Sequence, residues 1–482
     1  MKGLMIQGTS SDAGKTFIVT GLCRLLANMG VKVCPFKSQN MSNNSHVTLD
    51  GLELSTAQAL QAQAARLTPA VFMNPILLKP RHNCSSEVIL NGKVYASTTK
   101  GYREFAQTVG IQAVRDSLAH IAANFEAVVI EGAGSPAEVN LNAHEIVNMR
   151  IAREADVPVI LVADVDRGGS LAAIVGTLEL LGQDRKRVHG IIFNKFRGDI
   201  ELFRDAVTWT ENYTGVKVLG VLPYLEGVNL PAEDSLNIQG HVSAERSRTI
   251  NIGILKFPGI SNFSDFDPLS QEQDVNLSFI DSNVKWVYKN DALIFPGTKT
   301  TYDAMNWLAT SNFYENLTHF RGFIFGICGG LQIMGRTLFD PLHIENDKLT
   351  HLDGLGLFPF TTEFAREKIT RQHTGKISGY EIHYGRTHYD YSQEFSPLFM
   401  IDGQPEGMRS KDLRLACTYL HGVFGNDEFR TEWLNAIRSA KNYGTRPIIE
   451  TRTALDETFD AIAEHLRRHL DIEAILQLSQ IH

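Results

Sequence analysis

Short unbroken apolar runs alternate with longer amphipathic stretches through the N-terminal half of the chain. Leu4-Met5-Ile6 is such a run, and behind it Ile18, Leu22, Leu25, Leu26 and Met29 recur at the three- and four-residue spacing of one helix face. Gly30 suits the end of that helix, and residues 31–36 read as the next strand. The pattern continues with a helix over 54–66, a proline-bounded extended segment over 74–80, a strand pair over 86–96 and a helix over 102–124. Further strands are expected at 127–130, 157–165, 188–193 and 216–222, with helices near 171–181 and 200–213. Unbroken apolar runs are what strands buried on both faces require. Their alternation with helices predicts an α/β fold with a parallel sheet, its ligand site along the C-terminal ends of the strands.

Residues 231–248 are polar and aperiodic. Strands resume at 250–255, 275–280 and 292–295, and later at 322–327 and 413–419. Residues 455–478 read as one or two helices to which no chemistry attaches. The expected division is an α/β domain over 1–235, a linker over 236–248, a second α/β domain over 249–440 and a helical tail over 441–482. A chain of 482 residues accommodates this, at about 100–250 residues per domain.

Composition narrows the function classes. The net charge of −8 argues against a general nucleic-acid binder, which carries a basic surplus. No run of about 18 apolar residues is present to span a membrane, and Met1-Lys2-Gly3 enters a strand with no signal pattern. Five widely spaced cysteines, an odd number, point to reduced thiols and a cytoplasmic setting. Cys23 and Cys34 read as small core residues, and Cys84 and Cys417 have no evident partners.

The first candidate chemistry lies in Gly8-Thr9-Ser10-Ser11-Asp12-Ala13-Gly14-Lys15-Thr16, between the first strand and the first helix. A helix N-terminus offers unpaired N–H groups and a partial positive charge, which suit a phosphate chain. Gly8, Thr9, Asp12, Gly14, Lys15 and Thr16 are therefore expected to bind ATP, with Lys15 on the terminal phosphates and Thr16 on Mg²⁺. Five residues separate Gly8 from Gly14, one more than the common loop. Partition-type ATPases also deviate here but place a second lysine where this chain has Ser10. At other strand ends, Lys37 is expected to contact phosphate or a substrate carboxylate, and Asn194 to read the nucleotide base. Glu131, closing the apolar run 127–130, is placed for Mg²⁺; Asp50 and Glu53, and Asp166 further on, are further metal or substrate candidates.

The second chemistry is Gly326-Ile327-Cys328-Gly329-Gly330-Leu331-Gln332. A strand runs into a cysteine flanked by glycines, then into a short helix, which is nucleophile-elbow architecture. The helix end favours a thiolate. The N–H after Cys328, with another from the Gly297 loop, is placed for an oxyanion. A cysteine nucleophile needs a base. Among sixteen histidines, His421 in Tyr419-Leu420-His421-Gly422 ends an apolar strand and is the best candidate; His383 in Tyr380-Glu381-Ile382-His383 is its rival.

Gly326 to Gln332 with His421 resembles the class I glutamine amidotransferases, and the N-terminal half resembles the dethiobiotin-synthetase-like ATPases. Together with residues 37–44, 74–80, 194–199 and 379–383, the chain is similar to the cobyric acid synthase family from residue 1 to about 440. The resemblance implies a P-loop synthetase domain followed by an amidotransferase-like domain. It implies glutamine- and ATP-dependent amidation of the b, d, e and g carboxylates of adenosylcobyrinic acid a,c-diamide in cobalamin biosynthesis, with Mg²⁺, Cys328 and His421. One position departs from the class I pattern. Val423 stands where those enzymes usually carry the glutamate of a Cys–His–Glu triad, so any third member must come from elsewhere. Three alternatives stay open: the sister a,c-diamide synthase, a P-loop ligase with an inert second domain, and a non-enzymatic nucleotide switch.

Overall fold

Six parallel strands organise the N-terminal unit, in the order Val218–Pro223, Val188–Phe196, Val159–Asp164, Gly3–Gly8, Ala127–Glu131, Val33–Phe36. Every residue of the three central strands is buried, as the unbroken apolar runs require. The computed structural model describes residues 1–81, 85–98, 101–140, 145–225, 228, 230, 250–281, 289–311, 313–346 and 348–481. The linker expected at 236–248 and Cys84 lie outside them. No helix among the described residues is long and apolar enough to cross a membrane.

The chain divides into two compact units, but not sequentially. The first comprises Met1–Ser42, Glu53–Leu230 and Thr453–His482; the second comprises Asn43–Leu52 and Pro231–Arg452. A short stretch of the N-terminal half thus packs with the second unit, and the tail returns to the first. Within the first unit a smaller sheet pairs Gln39–Met41, Ile76–Arg81, Ser85–Leu90 and Lys93–Thr98. The proline-bounded segment is therefore a paired strand.

The tail forms two helices, Thr451–His469 and Ile472–Ser479. Leu466, Leu470 and Ile475 share a core cluster with Ile18, Leu22 and Leu26 of the Lys15–Asn28 helix. A Cβ on Gly21 would lie 2.5 Å from Leu466 Cδ1, so the bare glycine admits the tail against the helix. Beside it the buried Arg24 guanidinium donates twice to Asp460, at 2.7 and 2.9 Å. The tail is thus a structural wall behind the phosphate-loop helix.

In the second unit five parallel strands run in the order Val275–Ile280, Ile250–Leu255, Ala292–Phe295, Phe323–Ile327, Leu415–Thr418, followed by Met408–Ser410 and Phe395–Ser396, both antiparallel to their neighbours. A second sheet contains the long hairpin Thr361–His373 with Gly379–His388. Its first strand alternates exposed and buried positions over Thr361–Phe364, is mostly half-buried or exposed beyond them, and carries no unbroken apolar run, which is why the sequence pattern did not mark it.

Leu466 is fully buried. Leu466→Ala is expected to cost about 2–5 kcal/mol, read as faster amide hydrogen exchange along the Lys15–Asn28 helix than in the second unit.

Candidate active site

Two sites emerge, one in each unit. In the first, Gly14 adopts φ 95° and opens the Lys15–Asn28 helix. That left-handed turn suits glycine, and its packing demands one: a Cβ there would lie 2.0 Å from Asn194 Nδ2. Asn194 donates to Ala13 O at 2.9 Å, so its amide buttresses the loop from below. Lys15 Nζ bends inward and donates to Ser10 O at 3.2 Å and Gly134 O at 3.0 Å. Thr9 N–H is tied to Val162 O. Asp12, at φ 60°, pairs with Arg167 at 2.7 Å and with Lys195 at 3.4 Å, on the outer side of the loop.

Glu131 gathers the other groups. Only 1% exposed, its carboxylate requires partners, because a buried charge without them is costly. Thr16 Oγ1 donates to Glu131 Oε1 at 2.9 Å, Lys37 Nζ donates to the same oxygen at 2.8 Å, and Gln61 Nε2 donates to Oε2. Thr16, Lys37 and Glu131, singled out separately in the sequence, therefore meet around one oxygen. The Thr16 hydroxyl and the Glu131 carboxylate are hard oxygen donors of the kind Mg²⁺ takes, so the residues present fit that ion. Asp50 is not part of this cluster. It belongs to the turn between Thr48 and Leu52, where its carboxylate accepts from the Thr48 hydroxyl. Glu53 is committed to a buried ion pair with Lys79, and Asp166 to Arg197.

In the second unit the strand Phe323–Ile327 turns at Cys328 into the short helix Gly329–Met334. Cys328 sits at φ 52°, ψ −107°, a strained position for a side-chain-bearing residue. Its glycine neighbours make the turn sterically possible. A Cβ on Gly330 would lie 1.9 Å from Phe295 O, and one on Gly326 would lie 2.4 Å from Met334 Sδ. The Gly297 loop closes on the same point: a Cβ on Gly329 would lie 3.0 Å from Thr298 N, and one on Gly297 would lie 2.8 Å from His421 Cε1.

His421 is 1% exposed and lies close enough to Cys328 for the charge of one side chain to act on the other. Its Nδ1 lies 2.7 Å from Asp265 Oδ2, and the other oxygen of Asp265 accepts from Gly422 N–H at 2.7 Å. Tyr380 stacks on the ring at 5.3 Å, and its backbone exchanges two hydrogen bonds with His421. Burial by itself would lower the imidazole pKa; the charges of Asp265 and Cys328 outweigh it and raise it to about 10. Two residues on, desolvation first and the Asp265 charge second push the Asp267 carboxyl up to about 8.

Asp265 is the residue the sequence did not reveal. It lies on a single turn, Phe263–Phe266, far upstream of both partners. The available signal was two acids, Asp265 and Asp267, set among Phe263, Phe266 and Leu269, where burial would be costly without a purpose. Val423, at the position of the usual glutamate, is fully buried in the apolar core. The rival His383 has both ring nitrogens engaged, Nδ1 with Gly385 O at 2.8 Å and Nε2 with Glu381 at 3.1 Å, and its ring stacks on Tyr419 at 3.7 Å.

Asp265→Asn is expected to lower glutamine hydrolysis roughly 100-fold. The imidazolium, stable in the native enzyme until pH rises through about 10, would lose its proton at lower pH in the variant. The alkaline limb of the kcat profile should shift downward, measured as glutamate release across pH.

Comparison with known proteins agrees with both halves. Residues 4–238 match the CobQ/CobB/MinD/ParA nucleotide binding domain, and residues 251–429 match the CobB/CobQ-like glutamine amidotransferase domain. The chain is 42% identical to the cobyric acid synthase of Geobacillus sp. (strain WCH70) over 98% of its own length and 96% of that protein. It is also 42% identical to the cobyric acid synthase of Synechocystis sp., over 99% of this chain and 98% of the relative, and 41% identical to that of Anoxybacillus flavithermus, over 98% and 96%. With identity sustained over nearly the full length of these relatives, the chain belongs to the cobyric acid synthase family.

Proposed function

We propose that the protein uses glutamine and ATP to convert the b, d, e and g carboxylates of adenosylcobyrinic acid a,c-diamide into amides, in the cytoplasm. The observation that carries this reading is the arrangement of Cys328, His421 and Asp265 in a chain that also bears Lys15 and the Thr16–Lys37–Glu131 cluster. Cys328 Sγ attacks the side-chain amide carbon of glutamine. His421, held charged by Asp265, gives its proton to the departing nitrogen, which leaves as ammonia. Water then cleaves the thioester, releasing glutamate and the thiol. The N–H groups of Gly329 and of the Gly297 loop are the donors for the oxyanion.

A carboxylate is a poor electrophile, so it must be activated. Phosphoryl transfer from ATP gives an acyl phosphate, and ammonia displaces the phosphate. Lys15 reaches the transferring phosphates, and Lys37, beside Glu131 in the same cluster, is the second cation available to the developing charge. Mg²⁺ bound by Thr16 and Glu131 would supply further charge neutralisation on the phosphate oxygens. Asn194 acts on ATP by holding the loop at Ala13. Free thiols at Cys23, Cys34, Cys328 and Cys417 suit the reducing cytoplasm.

The test is incubation with the corrinoid diamide, ATP, Mg²⁺ and glutamine, followed by mass spectrometry of the product. Amidation that stops short of the remaining carboxylates would replace this reading with a narrower amidase. Cys328→Ala is expected to abolish glutamine-driven amidation while free ammonia still supports it; Lys15→Ala is expected to abolish both. Full glutamine-driven activity in Cys328→Ala would remove the nucleophile assignment.

A further inference from the structure

The stretch Asn43–Leu52 lies between residues of the first unit, yet it packs with the second. Its place there is specific. Asn44 Oδ1 accepts from Asn262 N–H at 2.7 Å and from Phe263 N–H at 3.4 Å. In return Asn262 Oδ1 accepts from Ser45 N–H at 2.9 Å. Three hydrogen bonds thus join Asn44-Ser45 to Asn262-Phe263, one of them directly between the two asparagines, and both asparagines are almost completely buried. Asn262 holds φ 56°, a left-handed conformation that asparagine tolerates better than most residues. It is the residue from which the Phe263–Phe266 turn starts, and that turn presents Asp265 to His421.

The rest of the stretch lies against the other support of His421. His46 packs on the Tyr380 ring at 5.4 Å, and Val47 forms a small buried cluster with Tyr380 and Ile382. Tyr380 stacks on His421, and the Ile382 carbonyl is 3.8 Å from Cys328 Sγ. The stretch therefore touches the turn that carries Asp265 and the strand that backs both His421 and Cys328. The polar clasp thus holds the start of a turn whose one carboxylate meets one ring nitrogen.

We propose that Asn44 is a positioning residue for glutamine hydrolysis, acting through the Asn262 turn to hold Asp265 against His421. This rests on the glutaminase reading of Cys328 and His421. Lys37, which donates to Glu131 in the first unit, and a positioning group for the amidotransferase site are then encoded within a few residues of each other, and the second site is incomplete without a piece of the first half of the chain.

Asn44→Asp retains the acceptor oxygen at Oδ1, whereas Asn44→Ala removes it. The full-length enzyme is assayed for glutamate release and, separately, for ATP-dependent amidation driven by ammonium chloride. Asn44→Ala is expected to lose roughly tenfold to a hundredfold in kcat for glutamine hydrolysis, with KM for glutamine little changed and ammonia-driven amidation preserved. Asn44→Asp is expected to restore most of the loss. The proposal is overturned by wild-type glutamine hydrolysis in Asn44→Ala, by equal losses in Asn44→Asp and Asn44→Ala, or by a parallel fall in ammonia-driven amidation, which would mark a general folding defect. A wild-type enzyme that releases no glutamate from glutamine overturns the glutaminase reading itself, a different result from any of these.

Discussion

A carboxylate taken out of water has to be satisfied on both oxygens, and in the second unit everything around His421 follows from satisfying Asp265. One oxygen takes the imidazole N–H and the other takes the next backbone N–H, so the acid fixes the ring and the chain that carries it. With Nδ1 occupied, the ring has its other nitrogen left for Cys328. The same charge keeps the imidazole protonated far above its ordinary range despite full burial. The glycines at positions 297, 329 and 330 are then steric consequences: the loop, the elbow and the histidine approach too closely for side chains.

The first unit meets the same constraint with different partners. Glu131 is as deeply buried as Asp265, and it is satisfied by a cation, a hydroxyl and an amide from three separate elements. That shared demand explains why Lys37, expected at a strand end to meet phosphate or a substrate carboxylate, is buried beside Glu131. It also separates the acid that gathers Thr16 and Lys37 from those that do not. Glu53 and Asp50 look equivalent to Glu131 in a linear reading, but one is neutralised by Lys79 and the other closes a local turn.

Much of this was legible before any coordinates. Strand, turn and helix follow one another within a few residues at Gly8–Thr16 and at Gly326–Gln332, so glycine spacing and apolar runs suffice to locate both. His421 was singled out because it ends an apolar strand downstream of the elbow; that this strand pairs with the elbow strand is seen only in the fold. The antiparallel hairpin at Thr361–His373 escaped because half-exposed alternation with many charges resembles a polar loop. Asp265 escaped because its partner is 156 residues away, and nothing local distinguishes it from Asp267. The compact units depart from a strictly sequential division at two places for a related reason: the residues at 43–52 and 453–482 are bound by contacts made far along the chain.

The amino-acid sequence by itself determined the two α/β sheets, the phosphate loop, the cysteine elbow and the family, because each is written in short-range patterns of volume, hydrophobicity and backbone freedom. Only the tertiary structure decided which acid orients His421, which acid gathers Thr16 and Lys37, where the tail packs and what the stretch Asn43–Leu52 holds. Those are choices among chemically equivalent side chains, and they are made by which of them the fold buries next to a donor.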